Sequence, residues 1–531
     1  MDRNPGLKVN LHVFSISAAL VLFFLLMGVL FTEQVTGAFE AVQDLIVSNF
    51  GWFYILSAAF FLTFVIWLYL SPYGNIRLGK DSDRPEYRNT TWFAMLFSAG
   101  MGIGLLFYSV AEPIIHFSSP KSASPGTIEA AVQAMNLTFF HWGLNAWAIY
   151  VIVGLSLAYF SYRHDMPLTI RSTMYPIFGE KINGFRGNIV DVLAIFGTLF
   201  GVATSLGLGA MQINSGLDYL GLMSVSINNQ IILIAFITLA ATISVISGLN
   251  RGIRILSQVN ILLGLLLVIF VFIAGPSTFL VSSYVQSIGY YLQHIISLTF
   301  QTDAFTTIEW QKMWTMFYWG WWISWSPFVG MFIARISRGR TIREFIRGAL
   351  LAPVLVTFIW IIVFGNTAIH MELFGNGGIV QAVQTSVPTA LYVLLDNLPG
   401  SVLSSTLATI VVMTFIVTSA NSASLVISIL SSGGNPKPIL SLRLFWSLLQ
   451  GAVAAVLLLA GGLIGLQTAA LVTAFPFCIV LILMCYSVYK GMKAETDAHE
   501  PLEQKKISPE DTSSNKVKKQ IAELFGGGLN K

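Results

Sequence analysis

A dense group of tryptophans in the apolar stretch from Trp314 to Arg340 offers the clearest candidate chemistry in the sequence. An interfacial aromatic belt lies at one depth near a helix end, whereas these indoles extend over about three helical turns. Some rings are therefore expected to face inward, where their negative faces attract a cation that cannot donate hydrogen bonds, such as a quaternary ammonium. Ordinary aromatic packing between helices is the alternative. The tryptophans are Trp314, Trp319, Trp321, Trp322 and Trp325.

A second aromatic segment runs from Phe140 to Tyr150 in an earlier apolar stretch. Trp142, Trp147 and Tyr150 can loosely share one side of a helix over about two turns. Packing between helices again competes with a role as a binding wall. His141 is a candidate for a proton relay, with a hydrogen-bonded packing role as the alternative.

Three glycines recur at every second position in the segment from Ser98 to Gly104. Each glycine costs roughly 1 kcal/mol in a helix relative to alanine, so a compensating gain is expected. One interpretation is close helix packing through small residues. The other is a broken helix whose freed backbone groups coordinate an ion or meet a substrate carboxylate.

Hydroxyl and amide side chains interrupt a later apolar stretch at Thr418, Ser419, Asn421 and Ser422. Such hydroxyls commonly bond back to their own helix, but neutral oxygens beside a broken helix also suit a sodium ion.

Acidic residues are scarce in the apolar stretches, and Glu112 and Asp191 lie close to the ends of predicted spans. A charge at mid-membrane costs about 2.5–3.5 kcal/mol, so a bare organic cation is expected to need a carboxylate partner. A zwitterion brings its own carboxylate.

The composition predicts an all-α polytopic membrane protein that lies in a lipid bilayer, because 55% of the 531 residues are hydrophobic and only 10% are charged. Basic residues are scattered among short loops, which argues against a nucleic-acid partner. No nucleophile and base pair or metal-ligand pattern points to an enzyme, and no repeated filter points to a channel. Cys478 and Cys485 lie in one apolar run and are expected to pack.

Twelve apolar runs are long enough to span a bilayer, at about 20 residues each. The first is expected to be a retained span because it lacks a convincing signal-peptide cleavage site. Two more polar stretches, 282–300 and 378–395, are predicted to be helices near the membrane surface. The runs fall near 12–31, 51–71, 91–115, 133–160, 189–212, 230–248, 258–276, 313–334, 350–369, 401–430, 442–465 and 468–489.

Basic residues collect in alternate loops, for example Arg77, Arg163, Arg251 and Arg335, whereas the intervening loops are mainly acidic. By the positive-inside rule, both termini are predicted to be cytoplasmic. A multi-pass protein of the inner cell membrane is expected.

Four segments together resemble the betaine/choline/carnitine transporters: 101–104, 141–150, 319–330 and 334–341. The resemblance covers essentially all twelve spans. It implies two inverted five-helix repeats of the LeuT type, preceded by two extra helices, and usually a homotrimer. The implied divisions are an N-terminus with two extra helices (1–90), a first repeat (91–276), an amphipathic surface-helix linker (277–312), a second repeat (313–490) and a cytoplasmic polar tail (491–531).

The resemblance also implies a binding site for a quaternary ammonium substrate and two sodium sites. The substrate residues would be Trp142, Trp147, Tyr150 and Trp322, with Trp321 and Trp325 beside the pathway and Met101, Gly102 and Gly104 in the glycine motif. One sodium site would use Ser98, Met101, Phe415, Thr418 and Ser419, and the second would use Thr198 and Phe328.

Three positions depart from the family pattern. Val202 stands where sodium-coupled relatives often have a second threonine, and Asn421 stands where many members have aspartate. Gly104 occupies a position at which choline carriers tend to have an acidic residue. We expect the protein to import a betaine-type zwitterion, glycine betaine, coupled to Na+ and without a cofactor. The alternative is a proton-coupled choline transporter.

Overall fold

The computed structural model describes residues 9–100, 102–246, 250–306 and 308–505, with the backbone alone for 97–100, 250–254 and 498–505. Throughout these ranges the chain is helical, and the one β-type contact is an isolated bridge between Arg77 and Thr341. The helices are α1 (Leu11–Leu30), α2 (Thr32–Leu70), α3 (Asn89–Gly100), α4 (Ile103–Ser118), α5 (Ile128–Trp142), α6 (Leu144–Ala158), α7 (Tyr175–Phe178), α8 (Phe185–Tyr219), α9 (Ile227–Ile246), α10 (Asn250–Ala274), α11 (Ser277–Thr299), α12 (Glu309–Met313), α13 (Thr315–Arg335), α14 (Ile342–Ile361), α15 (Thr367–Phe374), α16 (Ile379–Thr385), α17 (Ala390–Asp396), α18 (Ser401–Ser431) and α19 (Leu440–Lys505).

Within the described residues, 9 helical segments are long and apolar enough to cross a membrane. The predicted all-helical, multi-pass class is therefore confirmed. The count differs from twelve for three physical reasons. The third predicted span is split between α3 and α4, and α13 is rich in Trp, Tyr and Ser rather than aliphatic side chains. The last two predicted spans are counted together in α19, although the non-helical backbone at Gly461 and Gly462 forms a kink between them. The twelve-span arrangement stays a prediction.

Two helices extend beyond the predicted bounds. The second predicted span begins at 51, but α2 begins at Thr32 and includes Glu33, Glu40 and Asp44 in its polar first half. At the other end, α19 continues through the predicted boundary at 490 to Lys505, and residues 506–531 lie outside the described residues. The extension is anchored because buried Glu495 pairs with Arg163 of the short π-helix Tyr159–Arg163.

Helices form in both stretches predicted to lie near the membrane surface. The first stretch corresponds to α11, which has largely half-buried or exposed side chains but inserts Tyr291 against α5. The second is divided into α16 and α17 by the short segment Val387–Thr389, where Pro388 cannot continue a helix.

The helix that carries the tryptophans, α13, lies at the centre of the structure and packs against α6, α8 and α19. Close approach depends on small residues: a Cβ atom on Gly330 would lie 2.6 Å from Val153 of α6, and one on Gly320 would lie 2.7 Å from the Cα of Leu471 in α19. The aromatic side chains of α13 consequently fill the interior rather than one surface belt.

Candidate functional site

A cavity of about 440 Å³ lies among α4, α5, α6, α13 and α14 and is lined mainly by aromatic rings. The structure brings together every substrate residue predicted from the sequence except Met101, which lies outside the described residues. We call this cavity the aromatic box. Its lining residues are Gly102, Gly104, Leu105, Trp142, Ala146, Trp147, Tyr150, Trp321, Trp322, Trp325 and Thr357.

The rings of the aromatic box meet largely at right angles. The Trp322 ring lies 4.9 Å from Trp142 at 71° and 6.2 Å from Tyr150 at 72°. Trp147 and Tyr150 pack edge to face at 5.3 Å, whereas Trp321 stacks on Trp322 at 5.0 Å. Perpendicular rings direct different faces and edges at one space, which is the arrangement that a cation–π site requires.

Hydrogen bonds fix three of the indoles. Trp322 donates from Nε1 to the carbonyl of His141 at 2.9 Å, and Trp325 donates to the carbonyl of Gly201 at 3.0 Å. The third bond, from Trp142 Nε1 to Oε2 of Glu112, is 2.8 Å long. These bonds lock the ring planes, so the aromatic box is formed before a ligand enters.

Two polar atoms of the aromatic box have no partner in the described part of the chain. They are the Nε1 atom of Trp321 and the hydroxyl of Tyr150, both of which are buried. Because buried polar groups are normally paired, both are candidates to donate to an anionic oxygen of a ligand.

Behind the aromatic box, the carboxylate of Glu112 is fully buried and organises a hydrogen-bond network. Its oxygens accept from Trp142 and from the hydroxyl of Tyr318, and Oε1 lies 2.6 Å from Nδ1 of His141 and 3.5 Å from Nε2 of His116. The sequence analysis missed this role. An ionisable residue inside an apolar run, two helical turns after Gly104, was the signal that could have revealed it.

Most residues predicted for the first sodium site line a second cavity, of about 670 Å³, beside Trp325. Phe415, Thr418 and Ser419 are all part of its lining. The hydroxyl of Thr418 donates to its own helix, at 2.9 Å to the carbonyl of Phe415 and 3.0 Å to that of Thr414. The hydroxyl proton is therefore bonded to its own helix, as one of the two interpretations predicts. The lone pairs of the oxygen stay available to coordinate an ion.

The glycine motif does break a helix, as one of its two interpretations predicts. The helix α3 ends at Gly100, and α4 begins at Ile103 after an extended Gly102 with φ −138°. Met101 and the side chain of Ser98 lie outside the described residues.

Of the two residues predicted for the second sodium site, one is among the described cavity-lining residues. Phe328 lines the second cavity, but Thr198 does not belong to the described lining of either cavity. Thr198 is buried in α8 and donates to the carbonyl of Ala194 at 2.7 Å. Val202, one turn later, is also buried and offers no side-chain oxygen.

The cavities form a series that leads away from the aromatic box. Trp325 lines the first and second cavities, and Phe332 and Thr418 are among the residues that line both the second and a third of about 1650 Å³. The third cavity extends to Tyr87, just before α3, and to Arg443 near the start of α19.

An ion pair lies at the opposite end of the broken α3–α4 span. Lys121, three residues after α4, binds both carboxylate oxygens of Asp303 at 2.6 Å and lies 4.3 Å from the Trp310 ring centroid. The described cavities therefore extend from the aromatic box toward the start of α3, whereas this ion pair lies beyond the end of α4.

Comparison with known proteins relates this geometry to a family. The model of the betaine/carnitine/choline family transporters matches residues 12–497. The chain is 43% identical over 503 residues to the glycine betaine transporter of Acinetobacter baylyi, covering 94% of this chain and 76% of that protein. It is 44% identical to the glycine betaine transporter OpuD of Bacillus subtilis, covering 91% and 94%. It is also 41% identical to the high-affinity choline transport protein of Escherichia coli, covering 92% and 73%.

A match over nearly the whole chain includes the glycine motif and both aromatic segments that form the box. The chain therefore belongs to the betaine/carnitine/choline family of transporters.

Proposed function

We propose that the chain imports glycine betaine together with Na+ across the inner cell membrane. In this proposal, twelve spans with two inverted five-helix repeats carry the transport path, both termini are cytoplasmic, and three copies form a homotrimer. As a member of its family, the chain is a membrane transporter of quaternary ammonium solutes and not an enzyme.

The observation that carries the choice of a zwitterion is the chemistry of the aromatic box. Its rings suit a trimethylammonium group, and none of its described lining residues is acidic. The unpaired Tyr150 hydroxyl and Trp321 Nε1 supply donors for a substrate carboxylate. One betaine molecule can place its trimethylammonium group against the rings and accept hydrogen bonds from the two donors with its carboxylate.

The sodium part of the proposal depends on the second cavity. Thr418 and Ser419 present neutral oxygens to this cavity, and Thr418 also lines the third cavity together with Ala94 and Met95 of α3. Backbone carbonyls freed at a helix break such as the one after α3 are common sodium ligands. A sodium ion there would be a co-substrate that adds positive charge near the zwitterion's carboxylate.

A proton-coupled choline transporter is the second candidate, and two specific observations favour it. Val202 removes a side-chain oxygen from the second sodium site, and Glu112 lies directly behind Trp142 with two histidines beside it. A buried carboxylate near the box would stabilise a bare cation, and such networks can exchange protons.

Uptake into proteoliposomes discriminates the two candidates. Sodium and proton gradients are imposed separately, with labelled betaine and labelled choline offered in turn. Betaine accumulation that requires the sodium gradient is the expected result. Choline accumulation driven by the proton gradient alone would replace the first candidate with the second.

A further inference from the structure

Arg443 lies in the wall of the third cavity without a counter-ion among the residues that the structure describes. Its half-buried side chain has no hydrogen-bond acceptor among those residues, and its Nε is buried. Other arginines are satisfied: Arg171 pairs with Asp191, and Arg340 donates to the carbonyl of Tyr87 at 2.9 Å. A buried N–H group without an acceptor is unfavourable, so a ligand is a natural source of the missing acceptor.

The remaining lining of the third cavity does not neutralise this charge. Arg443 is the one charged side chain among its described lining residues, and the others are apolar, aromatic or neutral polar groups such as Gln258 and Asn421. A cavity with low-dielectric walls and one uncompensated cation concentrates anions. A planar guanidinium is also the side chain best suited to bind a carboxylate through two hydrogen bonds.

The position of Arg443 connects it to the aromatic box. Phe332 lines both the third cavity and the second, and the second cavity reaches Trp325. A molecule that moves along this series of cavities leaves the rings of the aromatic box and approaches the guanidinium of Arg443. Because a quaternary ammonium prefers the rings and a carboxylate prefers the guanidinium, the series matches the two ends of a betaine.

We propose that Arg443 forms a second, weaker site that receives the substrate's carboxylate between the aromatic box and the end of the molecule where α19 begins. The inference rests on the proposed function, since choline has no carboxylate to bind. Arg443 then favours passage of zwitterions and disfavours bare cations, which adds discrimination outside the aromatic box.

The test compares Arg443→Gln, Arg443→Lys and the unmodified protein in phosphatidylcholine proteoliposomes. Arg347→Gln is the matched control, because it removes an exposed arginine of α14 outside the described cavity linings. Betaine exchange should fall about three- to tenfold in Arg443→Gln, with partial retention in Arg443→Lys and little change in Arg347→Gln. Betaine binding to the aromatic box, followed by tryptophan fluorescence, should stay near its original affinity.

The outcomes separate the inference from the function on which it rests. Betaine exchange that is unaffected by Arg443→Gln, or reduced equally by Arg347→Gln, would overturn the role of Arg443 alone. An unmodified protein that exchanges choline but no betaine would overturn both proposals. An effect of Arg443→Gln that appears only when phosphatidylglycerol is present would identify a lipid phosphate as the ligand and reject the substrate carboxylate.

A chemical rescue tests the charge itself. Arg443→Cys can be modified with a cationic or an anionic thiosulfonate reagent, because native Cys478 and Cys485 are fully buried and poorly accessible. The cationic adduct should restore betaine exchange, and the anionic adduct should not. Equal exchange by both adducts would show that size rather than charge matters and would reject the proposed site.

Discussion

At the scale of single residues, Trp322 is a central wall of the aromatic box, because its ring packs against those of Trp142, Tyr150 and Trp321. Trp322→Leu should weaken betaine binding by about 1–2 kcal/mol, roughly 5- to 30-fold in Kd, through loss of a cation–π face. The change in Kd is measured with labelled betaine and purified protein, in an assay that does not use tryptophan fluorescence.

Trp319→Leu provides the control on the same helix. Trp319 is buried against Phe140 at 5.2 Å but does not line the box. The Trp319→Leu substitution should lower thermal stability and leave the Kd for betaine near its original value. Equal Kd values for both variants and the unmodified protein would remove Trp322 from the binding site.

Glu112 should act as a positioning residue through its hydrogen bond to Trp142. Glu112→Met and Trp142→Phe each remove one partner of this bond, so their effects on betaine binding should be non-additive, with a coupling of about 1–3 kcal/mol. A double-mutant cycle on Kd measures it. Additive losses would mean that Glu112 supports the fold without orienting the indole.

Residue types predicted aromatic walls in two segments, but packing between helices remained the alternative, and the family resemblance supplied the membership of the aromatic box. The hydrogen-bond partners of the rings depend on tertiary packing, although the position of Glu112 inside an apolar run was a signal of a buried ionisable residue. Glu112 and Trp142 lie on different helices, 30 residues apart, and their bond depends on how α4 and α5 pack. The environment of Arg443 was equally unpredictable, because the lack of a nearby counter-ion depends on which side chains line the cavity and not on its neighbours in the sequence.

At the scale of helices, the break between α3 and α4 brings backbone to the edge of the box. A Cβ atom on Gly104 would lie 2.5 Å from Trp321 and 3.0 Å from Trp142, whereas one on Gly102 would contact Trp325 at an ordinary 3.4 Å. Gly104→Ala should therefore reduce betaine affinity by about 1–3 kcal/mol through overpacking. Gly102→Ala is the matched control and should cost much less.

Gly104→Asp extends this test to the choice of substrate. Its carboxylate should repel that of betaine and pair with choline, although the same side chain must also displace the two indoles. Competition between labelled betaine and choline measures the ratio of affinities. A ratio that shifts equally in Gly104→Ala would assign the effect to crowding and not to charge.

The hydroxyls of α18 should hold the coupling ion. Thr418→Ala with Ser419→Ala removes both neutral oxygens from the second cavity, so sodium stimulation of uptake should be lost while sodium-free betaine binding persists. Thr414→Ala is the control on the same helix, because Thr414 bonds to Asn260 and does not line this cavity. Sodium dependence that survives the double substitution would place the ion elsewhere.

The length of the apolar runs predicted where the long helices lie, but it did not predict where several of them begin or end. Hydropathy identifies the apolar part of a helix that lies in lipid, whereas α2 and α19 continue into polar turns that pack on neighbouring segments. Buried Glu495 shows the reason: an acidic residue predicted to lie in a polar tail is stabilised by Arg163. Sequence windows do not contain such long-range partners.

At the scale of the whole molecule, the series of cavities extends toward the start of α3, and the Lys121–Asp303 pair lies beyond the other end of this span, where we expect it to keep the transport path closed. The Lys121–Asp303 pair is partly sheltered, with side-chain exposures of 20% and 5%. Removal of one partner leaves a buried charge unpaired, which costs more than a surface ion pair contributes. The pair should therefore stabilise the closed end.

Lys121→Gln should shift the population toward states that are open at this end, because it destabilises the closed arrangement selectively. Spin labels at the exposed positions Ser124 and Glu309 report the opening as a larger fraction of long distances. Lys312→Gln is the control: its pair with Asp44 leaves the aspartate 62% exposed, so its loss should have little effect. Unchanged distances in Lys121→Gln would mean that the helices around Trp310, and not the ion pair, keep this end closed.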